Sequence, residues 1–327
     1  MTACGITILH APGCVLAKTI RPGGEVAGYE GARWFNLHAE PVADLDALAQ
    51  LLRTLAPHRD CAVVRGAVAD PERVASVRRL VHADAATGEA ATLVEAPRRW
   101  VALDVDGIDL PEGIDLRDLT ACARAVRPKL PREFREVRCI VQATGSHGVK
   151  PGARLRLWYW LSRPTSGREL KEWLRGVPGI DAAVFGPAQL IYTAAPRLAL
   201  GVSDPVPERL AVLPGAEVVK VPPPLALAPP PRVVSPYARP EGKAPSDRYV
   251  AAALARATAA ITAAPEGSRH ETAKRESWSL SRLLGTGALS QSTLHSAIAA
   301  AVVAAGKPQR EGERIAEWCF RNRGAGA

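Results

Sequence analysis

A proline-dense segment is the feature that most constrains the fold of this 327-residue chain. The segment, VPPPLALAPPPRVVSPYARPEGKAPS at 221–246, has too many prolines to lie inside a helix or a sheet. Such composition is typical of a semi-rigid, extended linker. The pattern therefore predicts two domains, 1–215 and 247–327, joined by a linker over 216–246.

Short helical and strand-like patterns alternate before the linker. Helical spacing is found at 44–56, 70–82, 115–126 and 166–177. Asp44 and Asp70 are candidate N-caps, and Ser166 with Glu169 has the spacing of a capping box. Strand-like runs lie at 61–68, 98–108, 138–144 and 154–162. These patterns predict layers of strands and helices, and we expect the α+β class.

The residues after Asp247 have a helical pattern to the end of the sequence. Three or four helices are predicted, over 247–264, 268–284, 290–306 and 308–323. Ser268 and Glu271 have the spacing of a capping box, and Gly306 is typical of a helix C-terminus. Short helices with short loops predict a small bundle.

Composition narrows the class of protein. No apolar run approaches the roughly 20 residues that a membrane-spanning helix needs, and the N-terminus lacks a signal-peptide pattern. The six cysteines are scattered, and their spacing is typical neither of a zinc knuckle nor of a disulfide framework. A cytoplasmic protein without a membrane partner is expected. Its formal net charge of +9 favours polyanionic partners.

The run VALDVDG, at 101–107, has the sharpest chemical feature. Asp104 and Asp106 are two positions apart on a predicted strand, so both side chains leave the same face. Neighbouring carboxylates repel each other, and a hard divalent ion such as Mg²⁺ or Mn²⁺ would compensate them. A strand that ends in a solvated Asp-Gly turn is the alternative interpretation.

The segment ATGSHGVKPGARLRLWYWL, at 143–161, combines a glycine-containing turn with basic residues. The small residues around Ser146 and His147 would let the backbone approach a phosphate. Positive charge would come from Lys150, Arg154 and Arg156, the last two on one face of their strand. A histidine that lies in a turn without a chemical role is the alternative.

A third carboxylate lies in GIDAAVFGPAQLIYTAAPRL, at 179–198. Asp181 follows a predicted helix and a Pro-Gly turn, and Arg197 lies near the end of the segment. A third acid would complete a site for two metal ions, which align an attacking hydroxyl and stabilise a leaving pyrophosphate. Asp181 alone is also compatible with an ordinary helix cap.

Other enzyme classes also place Asp-x-Asp on a strand. Haloacid-dehalogenase-type phosphatases use Asp-x-Asp-Gly on their first strand, with a later lysine and a second acidic pair. Here the motif begins only at Asp104, and no such acidic pair follows it. Metal-dependent glycosyltransferases have no support elsewhere in the sequence.

Together the three segments resemble the archaeo-eukaryotic primase superfamily, in its branch of phage and plasmid primase-polymerases. That family has an acidic strand, a Ser-x-His motif and a late acidic residue in this order. VALDVDG matches the first motif, and the segment around Asp181 resembles the third. His147 matches the second, but Gly145 replaces the serine, for which Thr144 or Ser146 is expected to stand in. The resemblance covers about 15–215.

The resemblance implies an RRM-like sheet joined to a second small α/β unit, with the acids in the cleft between them. It also implies DNA primase activity, which is the template-directed synthesis of short primers. Asp104, Asp106 and Asp181 would hold two Mg²⁺ or Mn²⁺ ions. The implied nucleotide-binding residues are Ser146, His147, Lys150, Arg154 and Arg197, and His147 is also implied as catalytic.

Residues 265–289 resemble helical domains that follow such primases, where the initiating nucleotide or the template is bound. Arg269, Lys274 and Arg275 are the expected DNA-binding residues, although a solvated helix face explains these charges equally well. The implied partners are single-stranded DNA and NTPs or dNTPs, in the replication of a phage or plasmid in a bacterial cytoplasm. A GxxxxGK[ST] motif does not occur in the sequence, so a separate helicase is expected.

Two other functions remain open. One is a catalytically inactive replication initiator that binds template DNA, which the loss of the motif serine at Gly145 favours. The other is a metal-dependent nuclease or nucleotidyltransferase that uses the same acids, because two-metal sites serve both synthesis and hydrolysis.

Overall fold

The computed structural model describes residues 5–227, 245–284 and 288–324. The chain divides into two compact units, Met1–Pro231 and Arg232–Ala327. The greater part of the predicted linker, 228–244, lies outside the described residues. Among the residues described, none of the helices combines the length and the apolar character that crossing a membrane requires.

The first unit contains strands and short helices. Its strands are β1 (Gly5–His10), β2 (Thr19–Ile20), β3 (Val26–Ala27), β4 (Asn36–Pro41), β5 (Cys61–Val64), β6 (Ala67–Val68), β7 (Leu93–Val94), β8 (Arg98–Ile108), β9 (Cys139–Ala143), β10 (Ala153–Thr165), β11 (Ile191–Tyr192), β12 (Arg197–Leu198) and β13 (Leu210–Leu213). Its helices are α1 (Leu45–Leu55), α2 (Leu119–Val126), α3 (Arg132–Arg135) and α4 (Gly167–Trp173), with 3-10 turns at Pro22–Gly24, Arg127–Lys129, Ala182–Phe185 and Pro224–Leu227.

Two four-stranded antiparallel sheets form the body of the first unit. One has the strand order β11-β5-β1-β4, and the other has the order β13-β9-β10-β8. The long strands β8 and β10 bury most of their residues, including Trp100 and Trp158. The amphipathic helix α1 packs Leu48 and Leu52 into the same core as Trp100. Because both sheets and the helix α1 contribute residues to this core, the first unit belongs to the α+β class.

Two small sheets complete the first unit. β2 pairs with β3 in antiparallel orientation and with β12 in parallel orientation, while β6 pairs with β7. The parallel pairing places Arg197 opposite Thr19. A residue near the N-terminus and one near the end of the unit therefore lie side by side.

Several sequence predictions are confirmed at the level of single residues. Asp44 caps α1 by accepting a hydrogen bond from Ala47 N, and the Ser166–Glu169 capping box is present at α4. The predicted strand 98–108 coincides with β8. These features depend on residues no more than a few positions apart, which is why the sequence alone reveals them.

The helix predicted over 70–82 is wrong. Asp70 begins only a turn, and the following residues extend beside the start of β4. Val77 exchanges two backbone hydrogen bonds with Phe35, and Val74 accepts another from Leu37. Val77 is also buried in a core with Phe35 and Leu37. Tertiary pairing therefore uses backbone groups that a helix would have bonded internally.

Two further boundaries differ from the predictions. α2 begins at Leu119 rather than at 115, because Asp118 accepts hydrogen bonds from Thr120 N and Ala121 N and so acts as the cap. The first unit continues beyond 215, because Val219 is fully buried and forms an isolated bridge with Leu161. The first residues of the predicted linker therefore belong to the first unit.

The described part of the second unit contains four helices, α5 (Asp247–Thr262), α6 (Arg269–Ser281), α7 (Gln291–Ala304) and α8 (Gln309–Gly324). Their apolar faces meet in one core that includes Ile261, Leu280, Leu294, Ile298 and Ile315. The predicted helical bundle is confirmed. The predicted capping box is not, because Ser268 makes no side-chain hydrogen bond to the start of α6 and bonds instead to Pro265 O.

Candidate active site at one end of the paired strands β8 and β10

The predicted acids Asp104 and Asp106 lie near the end of β8, where this strand pairs with the start of β10. In the antiparallel register Asp104 is opposite Arg156, and Asp106 is opposite Arg154. Residues that face each other across antiparallel strands point to the same side of the sheet. The alternation that places both acids on one face therefore also places two arginines there.

The inner pair is buried and bidentate. Arg156 Nε lies 2.5 Å from Asp104 Oδ1, and Arg156 Nη2 lies 2.9 Å from Asp104 Oδ2. The Arg156 side chain is 6% exposed and that of Asp104 is 21% exposed. Burial lowers the pKa of the Arg156 guanidinium, but the charge and hydrogen bonds of Asp104, together with Tyr29 and Asp181, leave this pKa above its usual value. Arg156 Nη1 also donates to Tyr192 O, which ties the second sheet to β11 of the first.

The outer pair lies at the surface. Arg154 Nη1 donates to Asp106 Oδ1, but the Asp106 side chain is 72% exposed. The Arg154 backbone and its Nε are held by the turn before β10, since Nε donates to Pro151 O at 3.2 Å. Asp106 therefore presents a carboxylate to solvent beside a fixed positive charge.

Asp181 is brought to the same edge of the sheet. Ile180 forms an isolated antiparallel bridge with Val105, and in such a bridge the next residue, Asp181, lies on the side of Asp104. The Asp181 carboxylate also raises the pKa of Arg156, which places it within electrostatic range of the inner pair. Asp181 is exposed and caps the 3-10 turn by accepting from Ala183 N at 2.8 Å. Asp181 is thus both the cap of this 3-10 turn and the third acidic residue at the edge of the sheet.

Lys18 is a cation of this site that sequence reasoning missed. Its ammonium donates to Ser146 Oγ at 3.2 Å. The carboxylates of Asp106 and Asp104 both act to raise its pKa. Burial lowers the pKa of Lys18, with Asp106 opposing the effect. A Cβ added at Gly145 would lie 3.0 Å from Lys18 Cβ. The glycine at this position therefore makes room for Lys18.

Two stacked tyrosines lie beside these charges. The rings of Tyr29 and Tyr192 have centroids 3.5 Å apart and are nearly parallel. Lys18 Nζ lies 5.7 Å from the Tyr29 ring centroid, within the range of a cation–π interaction. Burial raises the pKa of Tyr29 to about 12, so the phenol stays neutral at ordinary pH.

His147, which was predicted to be catalytic and to bind the nucleotide, lies in the interior of the first unit. The ring is fully buried, its Nδ1 accepts from Arg154 N at 3.2 Å, and its Nε2 lies 2.9 Å from Leu116 O. Since Nδ1 must accept from an N–H, the proton is on Nε2, which donates to the carbonyl. Burial lowers the pKa of His147 and favours this neutral ring. With both nitrogens bonded to backbone, His147 positions the turn and Arg154 rather than a phosphate.

Of the other predicted nucleotide-binding residues, Ser146 is buried and bonded to Lys18, whereas Lys150 and Arg197 are exposed. Arg197 N donates to Lys18 O at 2.9 Å, so β12 places Arg197 next to the Lys18 backbone. Lys150 contributes to the lowered pKa of Lys18. The structure thus brings Lys18 and Lys150 near the acids from separate segments, whereas Arg197, opposite Thr19 in the parallel pairing, contacts Lys18 only through its backbone.

Within the described ranges, no group of three or more His, Cys, Asp or Glu side chains is close enough together to enclose a metal ion. Asp106 and Asp181 nevertheless present exposed carboxylates, and oxygen is the donor that Mg²⁺ prefers. Mg²⁺ is commonly held by one or two carboxylates with substrate phosphates and water. The donors at this site fit an ion that is completed by its substrate.

The three predicted DNA-binding residues of the second unit do not converge. Arg269 Nε donates back to Ala264 O at 3.3 Å, and Arg275 is exposed and paired with Glu276. Lys274 Nζ lies 4.6 Å from the Trp318 ring centroid. A groove of about 850 Å³ between α6 and α8 is lined by Lys274, Arg310, Arg314, Trp318 and Arg321, among others. Most of the basic residues of this groove therefore lie on α8, where Glu311 and Glu317 also line it.

Strand alternation places Arg156 on one face with Arg154, as the sequence indicated, but it does not identify the partner of Arg156. β8 and β10 are separated in sequence by α2, α3 and β9, so the register that places Arg156 opposite Asp104 comes from the fold. Lys18, Tyr29 and Tyr192 reach the site only through tertiary packing, and no local pattern marks them. Comparison with protein-family models, curated proteins and solved structures gave no match.

Proposed function

We propose that the first unit is a template-directed nucleotidyltransferase of the primase-polymerase type, with an RRM-like arrangement of its sheets. The observation that carries this proposal is the position of three carboxylates, Asp104, Asp106 and Asp181, at one edge of a sheet and beside a cluster of cations. Nucleotidyl transfer needs both: acids for divalent ions and fixed positive charge for a triphosphate. A nuclease needs the acids, but has less use for so many cations.

Asp106 and Asp181 are the residues best placed to hold Mg²⁺ or Mn²⁺, with Asp104 behind them. When bound, such ions would lower the pKa of a primer or initiating hydroxyl and neutralise charge on the phosphates. Arg156 holds the Asp104 carboxylate in one orientation by its two hydrogen bonds. The acid is therefore organised before a substrate binds, so little reorganisation is required during the reaction.

The cations would act on the triphosphate. Lys18 and Lys150 come from separate segments and lie near the acids, so they could contact different phosphate oxygens, and Arg197 is exposed on the strand beside Lys18. Arg154 is paired with Asp106 at the surface, where an exchange of this pair for metal and phosphate costs little. The substrates proposed are NTPs or dNTPs on single-stranded DNA. We assign template or nucleotide binding to the basic groove of the second unit, in replication with a separate helicase.

The direct test is primer synthesis on single-stranded DNA with labelled NTPs or dNTPs and Mg²⁺ or Mn²⁺. Asp106→Asn and Asp181→Asn are expected to reduce product by at least about 100-fold, because each removes an ionised oxygen from the metal site. Asp46→Asn is the matched control, since Asp46 is also exposed and paired with an arginine, Arg138. Arg138 precedes β9, whereas the acids lie near the other end of that strand. Equal loss in all three variants would contradict the proposal.

One observation favours a second function, a replication initiator without catalysis. Both oxygens of Asp104 are already bonded to Arg156, and Asp106 is bonded to Arg154. In that case the same surface binds template DNA through its cations. Tight binding of single-stranded DNA without product, for every nucleotide and metal, would favour this second function.

A further inference from the structure

A second cluster of cations lies in the first unit, away from the acids. A cavity of about 340 Å³ is lined by Arg124 at the end of α2, Arg127 in the following 3-10 turn and Arg135 of α3. Glu136, Pro128, Leu213 and Pro214 complete the lining. Three guanidinium groups with one carboxylate give this cavity an excess of positive charge.

Arg127 is the unusual member of the cluster. It is only 6% exposed, and its Nε and Nη2 are buried without a hydrogen-bond partner. No carboxylate in the described residues forms an ion pair with it within 4.0 Å. An arginine remains charged at any ordinary pH, and burying a charge without a partner costs several kcal/mol, on the order of the loss of a buried ion pair.

The buried groups around Arg127 do not compensate this charge. Arg127 interacts electrostatically with Cys139 and Tyr159. Burial raises the pKa of Cys139 to about 11 and that of Tyr159 well above its usual value, so both stay neutral. Arg135 uses Nε to donate to Leu130 O at 2.9 Å, which fixes its side chain at the cavity. Among the described residues, Arg127 therefore has no counter-ion to compensate its buried charge.

We infer that this cavity, the three-arginine site, binds a phosphate group. Guanidinium groups bind phosphate through paired N–H donors, and three of them can share one multiply charged oxyanion. A buried polar group that lacks a partner in a native structure calls for an unplaced ion or water, and Arg127 lines the cavity that would hold the phosphate.

The three-arginine site is distinct from the candidate active site. Tyr159 lies three positions along β10 from Arg156, and residues an odd number apart point to opposite faces of a sheet. Tyr159 packs against Phe134 of α3, with ring centroids 5.1 Å apart, on the face covered by the helices. The inference therefore does not depend on the proposed nucleotidyl transfer. The phosphate is either a free or small-molecule phosphate or a phosphate of a nucleic-acid strand.

The test is thermal unfolding of the full chain with inorganic phosphate and with chloride at equal ionic strength. Phosphate is expected to raise the Tm of the wild type by about 5 °C or more near saturation. Arg127→Met is expected to lose this rise and to unfold at a higher temperature than wild type in chloride, because it removes an unpaired buried charge. Arg168→Met, which removes an exposed arginine on α4, is the control and should keep the phosphate response.

A wild type without a phosphate response, or an Arg127→Met variant that keeps it, would overturn the inference. The second outcome would assign the response to the cations around Asp106. The paired variant Arg124→Gln/Arg135→Gln leaves Arg127 in place and should weaken phosphate binding at least tenfold, which guards against a folding defect in Arg127→Met.

A second arm distinguishes the two sources of phosphate. Binding of a fluorescent single-stranded oligonucleotide is measured for the wild type and for Arg124→Gln/Arg135→Gln. Binding weakened about tenfold or more, with a smaller salt dependence, identifies a nucleic-acid phosphate. Unchanged oligonucleotide binding together with a lost phosphate response identifies a free or small-molecule phosphate. Both results support a phosphate site.

Discussion

The middle of the β8–β10 strand pair and its end at Asp106 carry the same kind of ion pair in different surroundings. Asp104 and Arg156 form the inner pair, in which the arginine is 6% exposed. Asp106 and Arg154 form the outer pair, one step along the ladder, in which the aspartate is 72% exposed. The comparison separates two tasks: the inner pair is fixed by burial, and the outer pair is free to exchange partners.

The physical reason is the cost of removing charge from water. A buried charge that loses its partner stays in a medium of low polarity, whereas an exposed one is solvated and screened. We therefore expect substitutions at the inner pair to act first on stability and substitutions at the outer pair to act first on activity. Four predictions concern these two pairs and the residues beside them. They are given from the largest to the smallest expected effect on stability.

The largest effect is expected for Arg156→Met. It leaves Asp104 without its two hydrogen bonds and should reduce the free energy of unfolding by about 3–5 kcal/mol. Urea denaturation at pH 7 measures this loss. The double variant Asp104→Asn/Arg156→Met should recover part of it, because no unpaired charge remains. Additive losses would show that the inner pair is not coupled.

A smaller effect is expected for Gly145→Val. A Cβ there meets Lys18 Cβ at 3.0 Å, so the larger side chain should displace Lys18 and cost about 1–3 kcal/mol. On the proposed function the KM for the nucleotide should rise more than kcat falls, since a phosphate-binding cation has moved. Gly31→Val, at a glycine with open space around it, is the control and should change neither.

The third prediction concerns pH. Because the folded state holds the pKa of His147 below its ordinary 6.5, the unfolded chain binds a proton first as pH falls. The contribution of His147 to stability is therefore complete above pH 6.5 and is lost as pH falls through the folded-state pKa. His147→Gln keeps a donor for Leu116 O without titrating, at a cost of about 1 kcal/mol at pH 8.

The measurement is the free energy of unfolding of wild type and His147→Gln from pH 8 to pH 5. The wild type should lose more stability than the variant below pH 6.5, so that the two curves approach each other. Parallel curves would mean that His147 does not titrate between these conditions.

The smallest effect on stability is expected for Asp106→Asn. Exposed ion pairs contribute about 0–1 kcal/mol, so urea denaturation should differ little from wild type. The same variant should lose primer synthesis, as proposed above. If Asp106→Asn lost as much stability as Arg156→Met, the distinction between the inner and the outer ion pair would not hold.

Local patterns account for much of the fold. The N-cap at Asp44, the capping box at Ser166 and the strand at 98–108 could be predicted because the interacting groups lie within a few residues. The segment at 70–82 has equally good helical spacing, but backbone pairing with Phe35 overrides it. The sequence of such a segment does not contain the partner that decides its conformation.

The candidate site also has one part that could be predicted from local sequence and another that depends on the fold. Alternation along a strand is sufficient to place Asp104 and Asp106 on one face. The role of His147 could not be predicted, because the carbonyl that its ring contacts belongs to Leu116, 31 positions away. A motif specifies which side chain is present, but burial decides whether its nitrogens are open to a ligand.

The sequence by itself determined the two acids on one strand face, the helical character of the second unit and the position of the proline-rich break, since each depends on periodicity or composition. Only the tertiary structure decided that Lys18 meets Ser146 across 128 positions and that Asp181 joins the edge of β8. It also decided that Arg127 Nε and Nη2 are buried with no hydrogen-bond partner among the described residues. The reason is that hydrogen bonding and charge pairing over such separations depend on how the whole chain packs.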